Sequence, residues 1–407
     1  MNPRITAGVA ALAILAAPLA WGQAPVTLAE AVEAAWRRAA ASAEAAGQSR
    51  RAEAERPAAS SLWAGPPAAE VGITRDRQRA TGSSRETEAG LAVPLWLPGQ
   101  RIARLQEVDA QVNAAAASSG AARLRVAGAV REAISEVELQ RAEVAAAQVQ
   151  LRDMQALAQD VDRRVAAGDL ARADAMAAHA ERLAAANALA QARQRLQAAE
   201  RHWFALTGLK SWPTLPAEAA EAARGADAPL PAQAHPALRA AALKVEAARQ
   251  RVQVARASRR EAPELSVRAR QESATGERSI LGLGVALRIP FATAERNAPL
   301  MAAALSELES AEAAERELRE EVEAARETAR LAQSSARQQL ADETARAQLL
   351  RERATLIDKS FQAGQTALPE MLRALHAATQ AEAAVGRARA ALAQATSRLQ
   401  QAHGVMP

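Results

Sequence analysis

The residues able to do chemistry are few and scattered. The chain has no cysteine and five histidines: His179, His202, His235, His376 and His403. Lack of cysteine excludes disulfides, thiolate metal sites and a lipidated N-terminal Cys. Asp174 and His179 stand five residues apart, which is not a helical ligand pair. There is no Gly-rich phosphate loop and no nucleophile elbow. Thr275-Gly276-Glu277 reads as a turn without catalytic company. The expectation is therefore no bound metal, no cofactor and no enzyme activity. Two acids are notable for position: Asp174 and Glu370 each follow a glycine, Gly168 and Gly364, by six residues. Near a helix N-terminus the dipole favours a carboxylate, so a solvated acid is one reading of both.

Composition narrows the fold. Aromatic residues make up 2% of the 407, with no Tyr and 3 Phe. Such a chain lacks the aromatics on which a large globular core is usually built, and its abundant Ala suits close helix contacts. The formal charge is +5 and the pI about 10.6. A basic chain suits nucleic acid or lipid headgroups. Here Arg and Glu are interspersed, as on solvated helix faces, and no nucleic-acid-binding motif accompanies them.

The elements that must position these residues can be read in order. Residues 1–24 resemble a secretory signal, with Arg4, a short apolar core over 9–17, and small Gly22 and Ala24 at −3 and −1. Thr27 with Glu30 forms a capping box for a helix running to about Arg56. Alternation then predicts a hairpin over about 67–96, turning at Ala80-Thr81-Gly82-Ser83-Ser84, with Val71 and Ile73 on one strand and Ala89, Leu91, Val93 and Leu95 on the other. After Pro98 and Gly99 no proline occurs until Pro213. Val130, Val137, Val144, Leu151, Ala158 and Val165 recur every seven residues, the spacing of a coiled-coil seam. A continuous helix from Gly99 to Val165 would reach ~100 Å and needs neighbours of similar length. It turns at Gly168-Asp169 and returns to about Gly208. Residues 209–234 hold four prolines and form a linker.

After the linker the order repeats. A helix spans about His235–Arg259. A hairpin over about 263–291 follows, with Leu281, Leu283, Val285, Leu287 and Ile289 on one face of its second strand. A helical hairpin over about 295–403 completes the unit, turning at Gly364-Gln365. Pro263, Val267, Pro290, Phe361, Gly364 and Gly404 each stand 196 residues after Pro67, Val71, Pro94, Val165, Gly168 and Gly208. Six matches at one offset, in one structural order, indicate tandem duplication of 25–208 as 235–407.

The fold class is thus mainly α with a small β part: two long helical hairpins and four strands. Four strands cannot close a membrane barrel, which takes about eight, and open edges are not viable in lipid. A homotrimer sharing a twelve-stranded outer-membrane barrel, above an α-barrel of long helices, resolves this.

The order and spacing of several short motifs resemble the TolC family of outer-membrane efflux proteins across essentially the whole chain after the signal. They are Leu28-Ala29-Glu30-Ala31-Val32, Val93-Pro94-Leu95, Pro98-Gly99-Gln100-Arg101, His235-Pro236-Ala237-Leu238, Ile289-Pro290-Phe291 and Phe361-Gln362-Ala363-Gly364. The junction from Leu95 to Arg101 resembles the heavy-metal (cobalt–zinc–cadmium type) branch. The resemblance implies a trimeric exit duct in the outer membrane with a large periplasmic helical domain. Its partners would be a periplasmic adaptor (membrane fusion protein) and an inner-membrane pump of resistance-nodulation-division type. The cargo would be chosen by the pump, heavy-metal cations for that branch. It implies an acidic ring at Asp174 and Glu370 that gates or selects cations, and adaptor docking at Gly168, Asp169, Gly364 and Gln365. Strand-to-helix junctions fall at Pro94, Pro98, Gly99 and Pro290, with Trp96 and Phe291 in the interfacial belt. Trp203, Phe204 and Trp212 would pack in a collar. The family's tip lock is altered: Phe361 stands where some members have Tyr, and Thr366 where an Arg joins it. Other readings remain open: the outer-membrane component of a type I protein or peptide secretion system, or a periplasmic coiled-coil adaptor or scaffold.

Overall fold

The computed structural model describes residues 26–78, 82–213, 235–274, 278–291 and 294–407. The expected signal segment, the linker from residue 214 and the tips of both β-hairpins lie outside these residues. The capping box forms: Glu30 N donates to Thr27 Oγ1 at 3.2 Å and Thr27 N to Glu30 Oε2 at 2.8 Å. It starts α1 (Leu28–Arg38), which breaks at extended Ala39 before α2 (Ala40–Ser60). Contrary to expectation, α2 passes Arg56 and Pro57. A proline this near the C-terminus forfeits a bond only in the closing turns.

Strands β1 (Ala68–Gln78), β2 (Gly82–Pro94), β3 (Glu264–Ala274) and β4 (Ile280–Arg288) form one antiparallel sheet in that order. Gly82, Ser83 and Ser84 were expected in a turn but pair in β2, opposite Gln78, Arg77 and Asp76. Opposed residues share a face. One face carries the rows Ala69, Leu91, Val267, Val285 and Val71, Ala89, Ala269, Leu283. Its large members are exposed, up to 80% at Leu283. The other face carries Glu70, Gly90, Arg268, Gly284 and Gly72, Glu88, Arg270, Gly282.

The helices below are α3 (Gln100–Ala167), α4 (Arg172–Thr207), α5 (Pro236–Ala257), α6 (Ala294–Gln362) and α7 (Leu368–Ala402). α3 and α6, at 68 and 69 residues, are unbroken rods of ~100 Å. Along its sheet-proximal half α3 packs on α2 and α5, and towards its tip on α4 and α7; α6 packs on α5 and then α7. Ion pairs mark these levels: Arg104–Glu55 (3.0 Å) above, Arg387–Glu143 (3.1 Å) below. The predicted seam is buried or half-buried throughout, with Val130 and Val137 fully buried. Small residues set the close packing. Ala178, Ala185, Ala192 and Ala199 are buried at seven-residue spacing on α4, and Ala374, Ala381, Ala388 and Ala395, each 196 positions later, on α7.

The shorter helices meet near the waist. Trp203 is buried among Ala31, Val32, Val130, Ile134 and Val137, with Trp212 against the same cluster, while Phe204 is half exposed. Where α4 ends, Arg38 Nη2 donates to Ala205 O at 3.4 Å. Where α7 meets the start of α5, Arg326 Nε donates to Ala402 O (3.2 Å), and Arg131 donates to Gln401 Oε1 (2.5 Å) and Val405 O (2.8 Å). Cationic side chains at C-terminal carbonyls satisfy orphan acceptors and complement the helix dipole. Burial, then Arg326 and His403, pushes the pKa of His235 down, so burial at this joint favours a neutral imidazole.

Gly404 closes the joint at φ +75°, and a Cβ there would lie 2.6 Å from His235 Cδ2 and 2.9 Å from Pro236 Cδ. Gly168 has φ +87° and open space around it. Gly168→Ala should cost only the left-handed backbone penalty of ~1–2 kcal/mol. Gly404→Ala should cost ~1–3 kcal/mol more for overpacking. Thermal melting of both purified variants checks this, with the larger fall in Tm expected for Gly404→Ala.

Candidate functional site

The two helical tips are built alike. The closing turn of α3 ends at Gly168, whose N–H donates to Val165 O (3.1 Å) while Asp169 N donates to Arg164 O (2.9 Å). In α6, Gly364 N donates to Phe361 O (3.0 Å) and Gln365 N to Ser360 O (2.9 Å). Both are glycine-terminated Schellman turns, which leave Gly168, Asp169, Gly364 and Gln365 exposed. Asp174, half-buried, accepts from the N–H of Ala171 at 3.2 Å and so caps α4. Glu370 occupies the matching first turn of α7, also half-buried. The two acids therefore sit at equivalent helix starts, and Asp174 has a structural role as a cap.

Arg164 joins the two tips. Its Nε pairs with Asp160 (2.9 Å), its Nη1 donates to Phe361 O (3.0 Å), and its guanidinium lies 4.7 Å from the Phe361 ring centroid. Phe361 is buried with Met154, Leu157, Val161, Leu368 and Met371. Phe lacks a hydroxyl, yet its backbone carbonyl and ring face serve as acceptors for one cation. Thr366 turns instead to Ser360, hydroxyl to hydroxyl at 2.5 Å. Sequence reasoning missed Arg164. Its position one residue before the seam residue Val165 was the available signal.

A second unforeseen feature is a chain of charges across four helices below the sheet. Arg51 pairs with Glu55 (3.7 Å), Glu55 with Arg104 (3.0 Å), Arg104 with buried Glu107 (2.6 Å), and Arg251 with Glu107 (3.9 Å) and Glu307 (2.9 Å). These residues line a groove of about 450 Å³. Residues nearer the tips on the same four helices, Gln48, Ser118, Lys244 and Ala314 among them, line an adjoining groove of about 720 Å³. The first groove is lined by charged residues, Gln and Ala alone, whereas Leu124, Leu318 and Val322 join the lining of the second. Lower down, Arg351 holds Glu382 through two bonds (2.6 and 2.8 Å) and lies 3.8 Å from Asp153. Burial raises the Asp153 pKa, and Arg351 partly offsets that. Nearer the tip, His376 pairs with Glu181 (2.9 Å) and His179 with Asp162 (3.1 Å). Among the described residues no group of three or more His, Asp or Glu is placed to hold a metal ion.

The polar sheet face is stapled across the repeat boundary. Arg268 reaches Glu88 (3.5 Å) on β2 and Glu70 (3.8 Å) on β1, and Arg270 pairs with Glu86 (2.6 Å). Gly90 permits the longer reach: a Cβ there would lie 3.1 Å from Arg268 Cγ. At the junction below, Leu95 N donates to Pro263 O (2.7 Å) and Ala64 N to Pro94 O (3.0 Å). Gly99, at φ +80°, starts α3, and the Gln100 side chain ties Leu97 N to Ser258 Oγ. Trp96 is half-buried, its Nε1 donating to Ser61 O at 3.0 Å. Phe291 is 86% exposed just after Pro290. The two expected belt aromatics thus differ, one tied into the chain and one free at its surface.

No family model matches the chain, and no curated protein matches it. Its fold is shared with solved outer-membrane channels. VceC from Vibrio cholerae aligns with TM-score 0.75 at 16% identity, covering 93% of this chain and 96% of that one. CusC aligns at 0.77 and 15% identity, covering 93% and 92%. The CmeC channel of Campylobacter jejuni aligns at 0.72 and 15% identity, covering 99% and 94%.

If Arg164 clasps the tips, Arg164→Ala removes a charge-assisted hydrogen bond and a cation–π contact, together ~2–4 kcal/mol. Phe361→Leu removes only the ring and should cost the tip contact less. Hydrogen exchange over 160–175 and 355–370 should accelerate strongly in the first variant and weakly in the second, with the waist unchanged.

Proposed function

We propose that the chain is a TolC-family outer-membrane exit duct, a passive channel and not an enzyme. In this reading three copies share a barrel of twelve strands, and the helices extend into the periplasm. The observation that carries the reading is the sheet. It exposes Val71, Ile73, Leu281, Leu283, Val285 and Leu287 on one face and pairs its charges on the other. That two-sidedness suits lipid outside and water inside. Among the described residues no helix is long and apolar enough to cross a membrane. The shared fold of VceC, CusC and CmeC supports the same reading.

The polar groove of α2, α3, α5 and α6 would then line the conduit, and the tips carrying Gly168, Asp169, Gly364 and Gln365 would meet a periplasmic adaptor. A pump of resistance-nodulation-division type would load the duct and choose its cargo. The Leu95–Arg101 junction supports heavy-metal cations as that cargo. Asp174 and Glu370, half-buried at matching helix starts, would ring the periplasmic mouth and favour cations.

Membrane fractionation tests the main reading. The chain should sediment with outer membranes and migrate as a heat-modifiable trimer; a soluble monomer would overturn it. In planar bilayers the protein should form cation-preferring pores. Asp174→Ala with Glu370→Ala should reduce that preference, and unchanged selectivity would sink the acidic ring while leaving the duct in place.

A further inference from the structure

We infer that the internal repeat dictates the register in which copies join: β4 of one copy pairs antiparallel with β1 of a second copy, Val285 opposite Ile73. This inference rests on the shared-barrel reading above and adds residue-level contacts to it. Two registers carry it. Within the first hairpin Ala68 opposes Ala92, and within the second Glu264 opposes Arg288. Each member of the second pair stands 196 positions after its counterpart, so the two hairpins are one unit used twice. Between them, β2 and β3 pair with Ala89 opposite Ala269. A barrel that repeats this step places the residue 196 after Ala89, which is Val285, opposite the residue 196 before Ala269, which is Ile73.

The side chains agree with this register. Val285 meets Ile73 and Leu287 meets Val71 on the apolar face, all four being exposed within the chain. On the polar face Arg288 meets Glu70. Arg288 has no ion pair within the chain among the described residues, and Glu70 has only Arg268 at 3.8 Å. Sliding by one residue would set the apolar face of one strand against the polar face of the other. Sliding by two would put Arg288 opposite Gly72 or Ala68 and leave Glu70 opposite Pro290 or Ala286. Only the unshifted register satisfies both faces. The counterparts of Glu88 and Glu86 on β4 are Gly284 and Gly282, and those of Arg268 and Arg270 on β1 are Gly72 and Thr74. The join between copies therefore carries the single Arg288–Glu70 rung in a glycine-rich strip, whereas the β2–β3 join carries two arginine staples.

The absence of native cysteine makes the test direct. The full chain in outer membranes would carry Ile73→Cys with Val285→Cys, or Gly72→Cys with Ala286→Cys. Neighbouring pairs alternate between hydrogen-bonded and non-hydrogen-bonded geometry, so the two together sample both. Mild oxidation should link copies into covalent trimers on non-reducing denaturing gels. Linking should be several-fold more efficient than for Ile73→Cys with Leu283→Cys or with Leu287→Cys, because diagonal neighbours stand too far apart for an unstrained disulfide. A shifted pair linking best, or native trimers that link through none of these pairs, would overturn the register while the duct reading stands. A monomer on native gels would overturn both.

Discussion

Backbone hydrogen bonding at the sheet edges is the constraint on which the architecture depends. β1 and β4 each present a row of unpaired N–H and C=O groups beside a strongly apolar face. In water such an edge invites aggregation; in lipid each unsatisfied group costs several kcal/mol. The large apolar residues are concentrated on one side of the sheet, and in the proposed duct further copies of the chain would complete it. In that reading the helices beneath it would support such an annulus. The helices run on from the strands through Pro94 to Gly99 and through Pro290, and are held to them by the Leu95–Pro263 and Ala64–Pro94 backbone bonds.

The helical part solves a different problem, that of making long rods from a sequence almost without aromatics. Alanine at seven-residue spacing on α4 and α7 lets helices approach closely, and the few large side chains are concentrated where geometry changes. Trp203 fills the waist, where α1 meets α3 and α4, and Phe361 fills the tips. Arginine does the remaining work: it caps carbonyl ends at the joints, staples strands, and spans the groove in the chain from Arg51 to Glu307.

Much of this was legible in the sequence because duplication doubles every signal. The 196-residue offset that aligned Gly168 with Gly364 also aligns the buried alanines, the Schellman turns and the hairpin registers. What was not legible involves contacts between segments distant in sequence. Arg164 is one of many interspersed arginines and nothing local marks Phe361 O as its partner, just as nothing local to Glu107 marks the Arg251 that α5 brings beside it. The turn at 82–84 was misplaced because Gly and Ser are turn formers by propensity, yet here cross-strand pairing overrides that preference. Asp174 was read for its charge, and its capping bond to Ala171 depends on a turn whose conformation the residue types alone leave open.

End-on electron cryomicroscopy of the full chain reconstituted in lipid nanodiscs tests the central claim most directly. The account predicts a three-fold particle with one closed twelve-stranded barrel in the disc, continuous with a ring of long helices below it. A particle whose sheet lies outside the lipid, or whose barrel closes with another number of chains, would contradict it.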